Sequence, residues 1–356
     1  MSNDFNMDGQ KLIYHIRRLN EWVKGEEVYP IYADIGLSGG CNQRCIFCTF
    51  DYLDYQPVSI DTECVKNFIG QAAAKGLRSV LYAGEGEPLL HNQVGEIIEF
   101  TKNKGVDAAL STNGVLLNKK IAGRILPYLS WVRVSINAGT PKKYSFIHGA
   151  KPDDFKQVLK NLKSLVKIRD KNNYPCAIGA QSLLLPQNYK DILNLAAAVS
   201  DIGVDYLTIK PFSRHPSSKK KFDYSNISHK ELSLLKEKLS VYQRSDFKVI
   251  YRQRSLDKTR GSKPYKKCLG FSFATRVTAE GDIFPCIAFE GKRGFLLGNI
   301  YQSSFDSIWE GARRKKVIDK IYSQWDVNNC RKPCRLDEIN RYLWNFKNPP
   351  NHVNFI

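Results

Sequence analysis

No stretch of about 18 consecutive apolar residues occurs in this 356-residue chain, so nothing in it reads as a membrane-spanning helix. The first residues, Met1-Ser2-Asn3-Asp4-Phe5-Asn6, lack the basic-then-apolar profile of a secretory signal. Low-complexity tracts and tandem repeats of solenoid length are missing as well. The expectation is a cytoplasmic protein without a membrane partner. Acidic residues are scarce, 35 against 54 Lys and Arg, which leaves a net charge of +19. At 42% hydrophobic and 25% charged, the composition excludes wholesale disorder. The length suits one large domain with an appendage, or two domains.

A reducing compartment keeps thiols free, so clustered cysteines there mean metal or redox chemistry more often than disulfides. The nine cysteines fall at 41, 45, 48, 64, 176, 268, 286, 330 and 334. Seven are grouped and read as metal ligands. Cys64, in the first helix after the leading trio, and Cys176, before a strand, read as packing residues.

Between about residues 28 and 212 short β-rich runs alternate with helical spacing. The strand candidates are Pro30–Ile35, Ser79–Ala83, Asp107–Ser111, Trp131–Ile136, Ala177–Leu184 and Tyr206–Lys210. Phe155, Val158, Leu159, Leu162 and Leu165 show the helical period between two of them. Such alternation implies an α/β fold with a parallel sheet, either a partial barrel or a doubly wound sheet, with chemistry at the C-terminal strand ends. Residues 9–24 read as an amphipathic helix on Leu12, Ile16, Leu19 and Val23. After Pro211 the alternation is expected to stop: 213–224 reads as an exposed loop, about 229–243 as a helix, and Glu280-Gly281-Asp282 as a hairpin turn. The expected divisions are an N-terminal helix over 1–27, the alternating unit over 28–212, a linker and helix over 213–264, and a cysteine-bearing α+β domain over 265–356.

Gly39-Gly40-Cys41-Asn42-Gln43-Arg44-Cys45-Ile46-Phe47-Cys48 follows the first strand. Three thiolates this close can hold three corners of a [4Fe–4S] cube and leave one iron open, the mark of a catalytic centre. The alternative is a zinc knuckle completed from elsewhere, with His91 as a possible fourth ligand. The spacing Cys-x3-Cys-x-aromatic-Cys resembles the radical S-adenosylmethionine (SAM) enzymes, whose barrel is a six-stranded partial (β/α)6 barrel. By that resemblance the open iron binds the amino and carboxylate groups of SAM and Phe47 lies near the adenine.

The second strand runs into Tyr82-Ala83-Gly84-Glu85-Gly86-Glu87-Pro88. In the family a Gly-Gly-Glu-Pro stretch here binds the SAM amino group; Gly86, Glu87 and Pro88 match, with Gly84 just upstream, while Glu85 replaces the first glycine. The resemblance further implies SAM contacts from Ser111 and Asn113 after strand three, Ser135 and Asn137 after strand four, and Gln181 on strand five, with Ser135 and Asn137 preferred over Ser111. Each of these also reads as an ordinary cap or core amide. Lys210 at the mouth of strand six, His215 and Arg276 are the candidates for moving a substrate proton.

Cys268, Cys286, Cys330 and Cys334 supply two pairs of thiolates, enough for a closed zinc site or a fully ligated [4Fe–4S] cluster. The order Phe284-Pro285-Cys286, Leu297-Gly298-Asn299-Ile300, Ser304–Trp309, then Cys330 and Cys334, resembles the C-terminal extension of radical SAM enzymes, called twitch in its short form and SPASM in its long one. Four ligands allow one auxiliary [4Fe–4S] cluster, the twitch pattern.

The resemblance therefore implies reductive cleavage of SAM to a 5′-deoxyadenosyl radical, hydrogen abstraction from substrate, and electron uptake by the auxiliary cluster. Oxidation of a sugar or aminocyclitol alcohol is the favoured outcome, with flavodoxin or ferredoxin as reductant. Peptide epimerisation or thioether formation is the alternative within the class. The ending Pro350–Ile356 differs from the Gly-Gly ending of the molybdopterin-precursor cyclase. A zinc-containing nucleic-acid-binding protein is the alternative from another class, since +19 invites an anionic partner. The basic residues are dispersed rather than set in an aromatic-studded stripe, which argues against it.

Overall fold

The computed structural model describes residues 11–225, 227–259 and 261–355. Its ten strands form one sheet: β1 (Tyr32–Ile35), β2 (Ser79–Tyr82), β3 (Asp107–Thr112), β4 (Leu129–Ser135), β5 (Ala177–Leu184), β6 (Tyr206–Pro211), β7 (Lys248–Tyr251), β8 (Ala274–Val277), β9 (Asp282–Phe284) and β10 (Gly298–Asn299). The order is β10-β9-β8-β1-β2-β3-β4-β5-β6-β7. Strands β1 to β7 pair in parallel, and helices fill every crossover between them. The molecule is α/β, as the alternation predicts.

Local chemistry explains the long crossover helix Pro152–Asn172. Pro152 opens it where a missing N–H costs nothing, and Asp153 and Asp154 sit at its positive end. Phe155, Val158, Leu162 and Leu165 bury one stripe against the sheet, and Asn173 stops it in the left-handed region at φ 53°.

One expectation changes. The alternation continues beyond Pro211: the helix His229–Ser240 returns the chain so that β7 joins β6 in parallel. The C-terminal hairpin extends the same sheet, β8 pairing in parallel with β1. At the N-terminus the helix is Ile16–Val23 after a short turn at Leu12–Tyr14; residues 9 and 10 of the expected span lie outside the described residues. Its buried face is Leu12, Leu19 and Trp22 packed on Leu269, Phe273 and Leu343, while Ile16 and Val23 are exposed.

The sheet curls. Tyr32 on β1, Arg133 on β4, Lys210 on β6 and Thr275 on β8 all line one cavity of about 210 Å³. In a flat sheet β1 and β6 would stand about 24 Å apart, five spacings of about 4.8 Å. Only a sheet rolled toward its own inner face brings these side chains together. No described helix is long and apolar enough to cross a membrane.

Candidate active site

The loop after β1 is fastened at several points before its cysteines enter the argument. Arg44 and Ile46 donate backbone N–H groups to the carbonyls of His148 and Ile147, at the end of the helix Pro141–His148. The buried Gln43 donates to the Tyr144 hydroxyl at 2.8 Å and accepts from His148 Nδ1 at 2.9 Å. His148 Nε2 in turn accepts from the Asn137 N–H at 3.1 Å, and Tyr144 stacks on the imidazole at 4.1 Å. Burial pushes the His148 imidazole down to about 3, so it is held neutral with its Nδ1 proton on Gln43. The loop is thereby rigid, with its three thiols gathered.

Burial pushes Cys41 up to about 11, and both burial and the neighbouring Cys48 and Cys41 push Cys45 well up. Thiols that resist ionisation alone become good ligands only beside a cation, so metal binding here releases protons. His91, the alternative zinc ligand, spends Nε2 on the Ile60 carbonyl at 2.8 Å and Nδ1 on the Gln93 N–H. It does not complete the trio.

A cavity of about 250 Å³ opens beside these thiols. Cys41, Cys45 and Phe47 line it, as do Gly84, Gly86 and Glu87 from the loop after β2. Ser111 and Asn113 from β3 and Ser135 from β4 complete it, so six of the expected cofactor-contact positions besides Phe47 converge. A Cβ on Gly86 would run into the Ser38 and Gly40 carbonyls, which is why only glycine lets the β2 loop lie against the cysteine loop. Glu87 points inward to the fold: it accepts from the Asn113 N–H at 2.8 Å, the Thr112 hydroxyl at 2.6 Å and the Leu89 N–H at 3.1 Å.

Three expected contacts fall outside the cavity lining. Pro88 begins a buried turn. Asn137 is fully buried, accepting from the Leu183 N–H at 2.6 Å, and braces β4 against β5. Gln181 accepts from Arg133 at 2.9 Å. Asn137, expected ahead of Ser111, is a strand-end amide with a backbone partner on the next strand, while Ser111 lines the cavity.

Of the proton-moving candidates, two are structural. Arg276 is held between Glu85, an ion pair to its guanidinium, and Glu290 at 2.7 Å, and donates to the Ala83 carbonyl at 3.0 Å. A guanidinium fixed by two carboxylates has no proton-accepting capacity, so the base reading of Arg276 fails. Glu85, whose place in the β2 loop departs from the family pattern, is the other half of that clamp and also accepts from the Ala279 N–H at 2.7 Å. His215 is buried, donates from Nε2 to the Ile287 carbonyl at 2.8 Å, accepts at Nδ1 from the Ser217 N–H, and stacks on Tyr52 at 4.6 Å. It lines neither cavity and is a strut. Lys210 alone lines the chamber, its ammonium pushed well down by burial and then by Arg133, Arg335 and Arg331.

Burial pushes His215 down to about 4 from 6.5. An unfolded imidazole takes up a proton as pH falls through 6.5, whereas the folded one does not until about 4. His215 thus contributes stability that is present above pH 6.5 and lost as pH falls toward 4, at up to about 1.4 kcal/mol per pH unit. Urea unfolding at pH 7.5 and 5.0 is expected to show that loss, and His215→Gln is expected to flatten it.

Two of the four late cysteines flank the start of β8, Cys268 ahead of it and Cys286 just past the antiparallel β9, and the Cys330–Cys334 loop joins them. Cys268 is pushed up to about 11 by burial and by Cys330, Cys286 feels both, and Cys334 donates its S–H toward Cys330. Asn340 on the helix Asp337–Lys347 fixes the short helical turn before β8: its Oδ1 accepts from Leu269 and Gly270, and its Nδ2 reaches the Cys268 sulfur at 3.6 Å. Ser213, just past β6, ties down the Cys330–Cys334 loop through Pro333 and Arg331. Among the described residues no trio of His, Cys, Asp or Glu sits at single-ion spacing. Four half-buried thiols with no hard oxygen donor suit a cubane, which offers four separate iron corners. Cys286 and Cys334 open into the 210 Å³ chamber, which shares Asp34, Ile287 and Arg335 with the cavity beside the first trio. Cys64 and Cys176 lie away: Cys64 is half-buried and donates to the Ile300 carbonyl, and Cys176 is buried before β5.

A curled parallel sheet with two thiol clusters lining adjoining cavities defines an iron–sulfur enzyme. Residues 35–205 match the Radical SAM superfamily and 268–335 match SPASM, an iron-sulfur cluster-binding domain; the chain is a radical SAM enzyme with a SPASM domain, and SAM and [4Fe–4S] clusters are the cofactors of these domains. The GTP 3′,8-cyclase of Chlorobaculum tepidum is 26% identical over 52% of this chain and 55% of its own length. The chain spans about half or less of the length of such cyclases. Streptococcus suis SuiB bound to S-adenosylmethionine has a TM-score of 0.62 at 18% identity, covering 86% of this chain and 72% of that one. The AdoMet-bound anSMEcpe structure has a TM-score of 0.60 at 16% identity, covering 89% and 95%. These two likenesses are likenesses of fold.

Proposed function

We propose that this enzyme removes two electrons from a secondary alcohol of a sugar or aminocyclitol held in the chamber between its two cysteine sets. The observation that carries the reading is the shared wall: Asp34, Ile287 and Arg335 border both the cavity at Cys41 and Cys45 and the chamber at Cys286 and Cys334. When bound, SAM on the Cys41–Cys45–Cys48 cluster supplies hydrogen-atom abstraction, and a cluster on Cys268, Cys286, Cys330 and Cys334 supplies an electron acceptor.

The chain's own residues do the rest. Ser111, Asn113, Ser135, Phe47 and the Gly84–Gly86 backbone hold SAM; Glu87 keeps their loops in register rather than touching it. A chamber of about 210 Å³ admits one small ring and little water, which fixes which C–H bond is presented. Lys210 Nζ takes the hydroxyl proton, helped by the burial that disfavours its charged form. The alcohol carbon loses one hydrogen atom, its oxygen one proton, and the resulting radical one electron, which leaves a ketone. With +19 overall, an acidic flavodoxin or ferredoxin suits the role of electron donor.

The test is an anaerobic assay of reconstituted enzyme with SAM, dithionite and a panel of sugar and aminocyclitol alcohols. One 5′-deoxyadenosine per ketone is expected from wild type, and deoxyadenosine without ketone from Cys286→Ala/Cys334→Ala. Deoxyadenosine made with no carbonyl product across the panel, or a modified peptide instead, overturns the alcohol reading while leaving the class.

A further inference from the structure

We propose that the substrate carries an oxyanion, a carboxylate or a phosphate, bound at Lys210 on the wall of the chamber that adjoins the SAM cavity. This deepens the reading of the chamber as the substrate site and rests on it.

The charges on the chamber wall do not balance. Its carboxylates are Asp34, Asp337 and Glu338. Arg335 takes Asp34 at 2.6 and 2.8 Å, and Lys258 takes both Asp337, at 2.7 Å, and Glu338. Arg331, in the cysteine-bearing loop, donates to the hydroxyl and carbonyl oxygens of Ser213. Lys210 is left over. Among the described residues its Nζ makes no hydrogen bond or ion pair, and the groups that act on it are three guanidiniums, Arg133, Arg335 and Arg331. Arg252 faces the same space, pushed down to about 10 by burial and Arg335.

A cationic wall inside an enclosed chamber is costly unless something negative enters it. Surface lysines solve this with water; here the position at the end of β6, with Pro211 and Ser213 beside it, faces the protein's interior. A planar or tetrahedral oxyanion offers several acceptor oxygens to an ammonium and neighbouring guanidiniums at once. It also offsets the three positive neighbours, which makes the ammonium formed on proton uptake by Lys210 tolerable. A neutral sugar would bring no counter-charge to the Lys210 ammonium.

Isothermal titration at constant ionic strength tests this on the reconstituted, SAM-loaded enzyme, with inorganic phosphate and malonate as separate probes and glycerol as the neutral control. Saturable one-to-one binding of at least one anion is expected, weakened tenfold or more by Lys210→Met, retained by Lys210→Arg, and unchanged by Arg17→Met, whose side chain is 94% exposed. Whichever anion binds better identifies the carboxylate or the phosphate arm. No saturable binding of either anion overturns the proposal, as does binding that Lys210→Met leaves intact, which would place the anions on the basic surface. The readout is binding, so ketone formation from a neutral alcohol with no anion binding would remove this inference and leave the proposed reaction standing.

Discussion

Replacing Cys41, Cys45 and Cys48 together by alanine is expected to abolish 5′-deoxyadenosine formation and to lower iron from about eight to about four per chain. The three thiols sit on one loop whose anchorage does not depend on them. Gln43, Tyr144 and His148 form a hydrogen-bonded box beneath it, and the backbone of Arg44 and Ile46 is paired with the helix end at Ile147 and His148. Nothing in β1 to β10 uses these sulfurs, so the triple variant should fold, with wild-type far-ultraviolet dichroism. The four remaining irons report the site at Cys268, Cys286, Cys330 and Cys334, whose braces, Asn340 and Ser213, lie far along the chain from the trio. Iron content and SAM turnover, measured on the same anaerobic preparation, check both halves. Zinc in place of iron with SAM left intact would sink the redox reading of both sites.

The parallel core was legible because each strand of β1 to β6 is a compact β-branched or apolar run closed by small turn residues, and each crossover carries a 3.6-residue period. β7 was hidden by its setting: Lys248-Val249-Ile250-Tyr251 has only two aliphatic residues, and its pairing with β6 depends on a returning helix. The union of β8 with β1 joins residues about 240 positions apart, Tyr32 with Ala274 through Ile35 with Val277, and no local pattern encodes such a pairing. At the site, the thiols announced themselves by spacing. Gln43 and His148 did not, since one lies inside the cysteine motif as a spacer and the other is a lone histidine on a helix; only the fold shows them bonded to each other. Lys210 was legible as a strand-end charge, but not the chamber's excess of positive charge, which is assembled from β4, β6, the segment after β7 and the late cysteine loop.

Arg276 carries the second large expectation. The clamp Glu85–Arg276–Glu290 is buried and bears one more negative charge than positive when both carboxylates ionise. Burial pushes the Glu290 carboxyl up to about 7, Arg276 pulling the other way, so a proton is readily held there. Arg276→Met removes the only guanidinium between two carboxylates and leaves both without their partner, a loss on the order of 3–5 kcal/mol. It also frees the Ala83 carbonyl and the loop that holds Gly84 and Gly86, because a Cβ at Gly84 would meet the Arg276 guanidinium and the two are in close contact. The triple variant Glu85→Gln/Arg276→Met/Glu290→Gln removes the carboxylate charges with the guanidinium and should regain most of the stability, since paired buried ions are worth little over neutral groups of the same shape. Urea midpoints compared at matched iron content check this, bound clusters otherwise adding their own stabilisation. An Arg276→Met protein as stable as wild type would show that the two carboxylates are neutral in the fold and that the clamp holds by hydrogen bonds alone. Recovery in the triple variant without recovery of SAM binding would separate the clamp's two effects, support of the sheet between β8 and β2 and placement of the β2 loop against the cofactor.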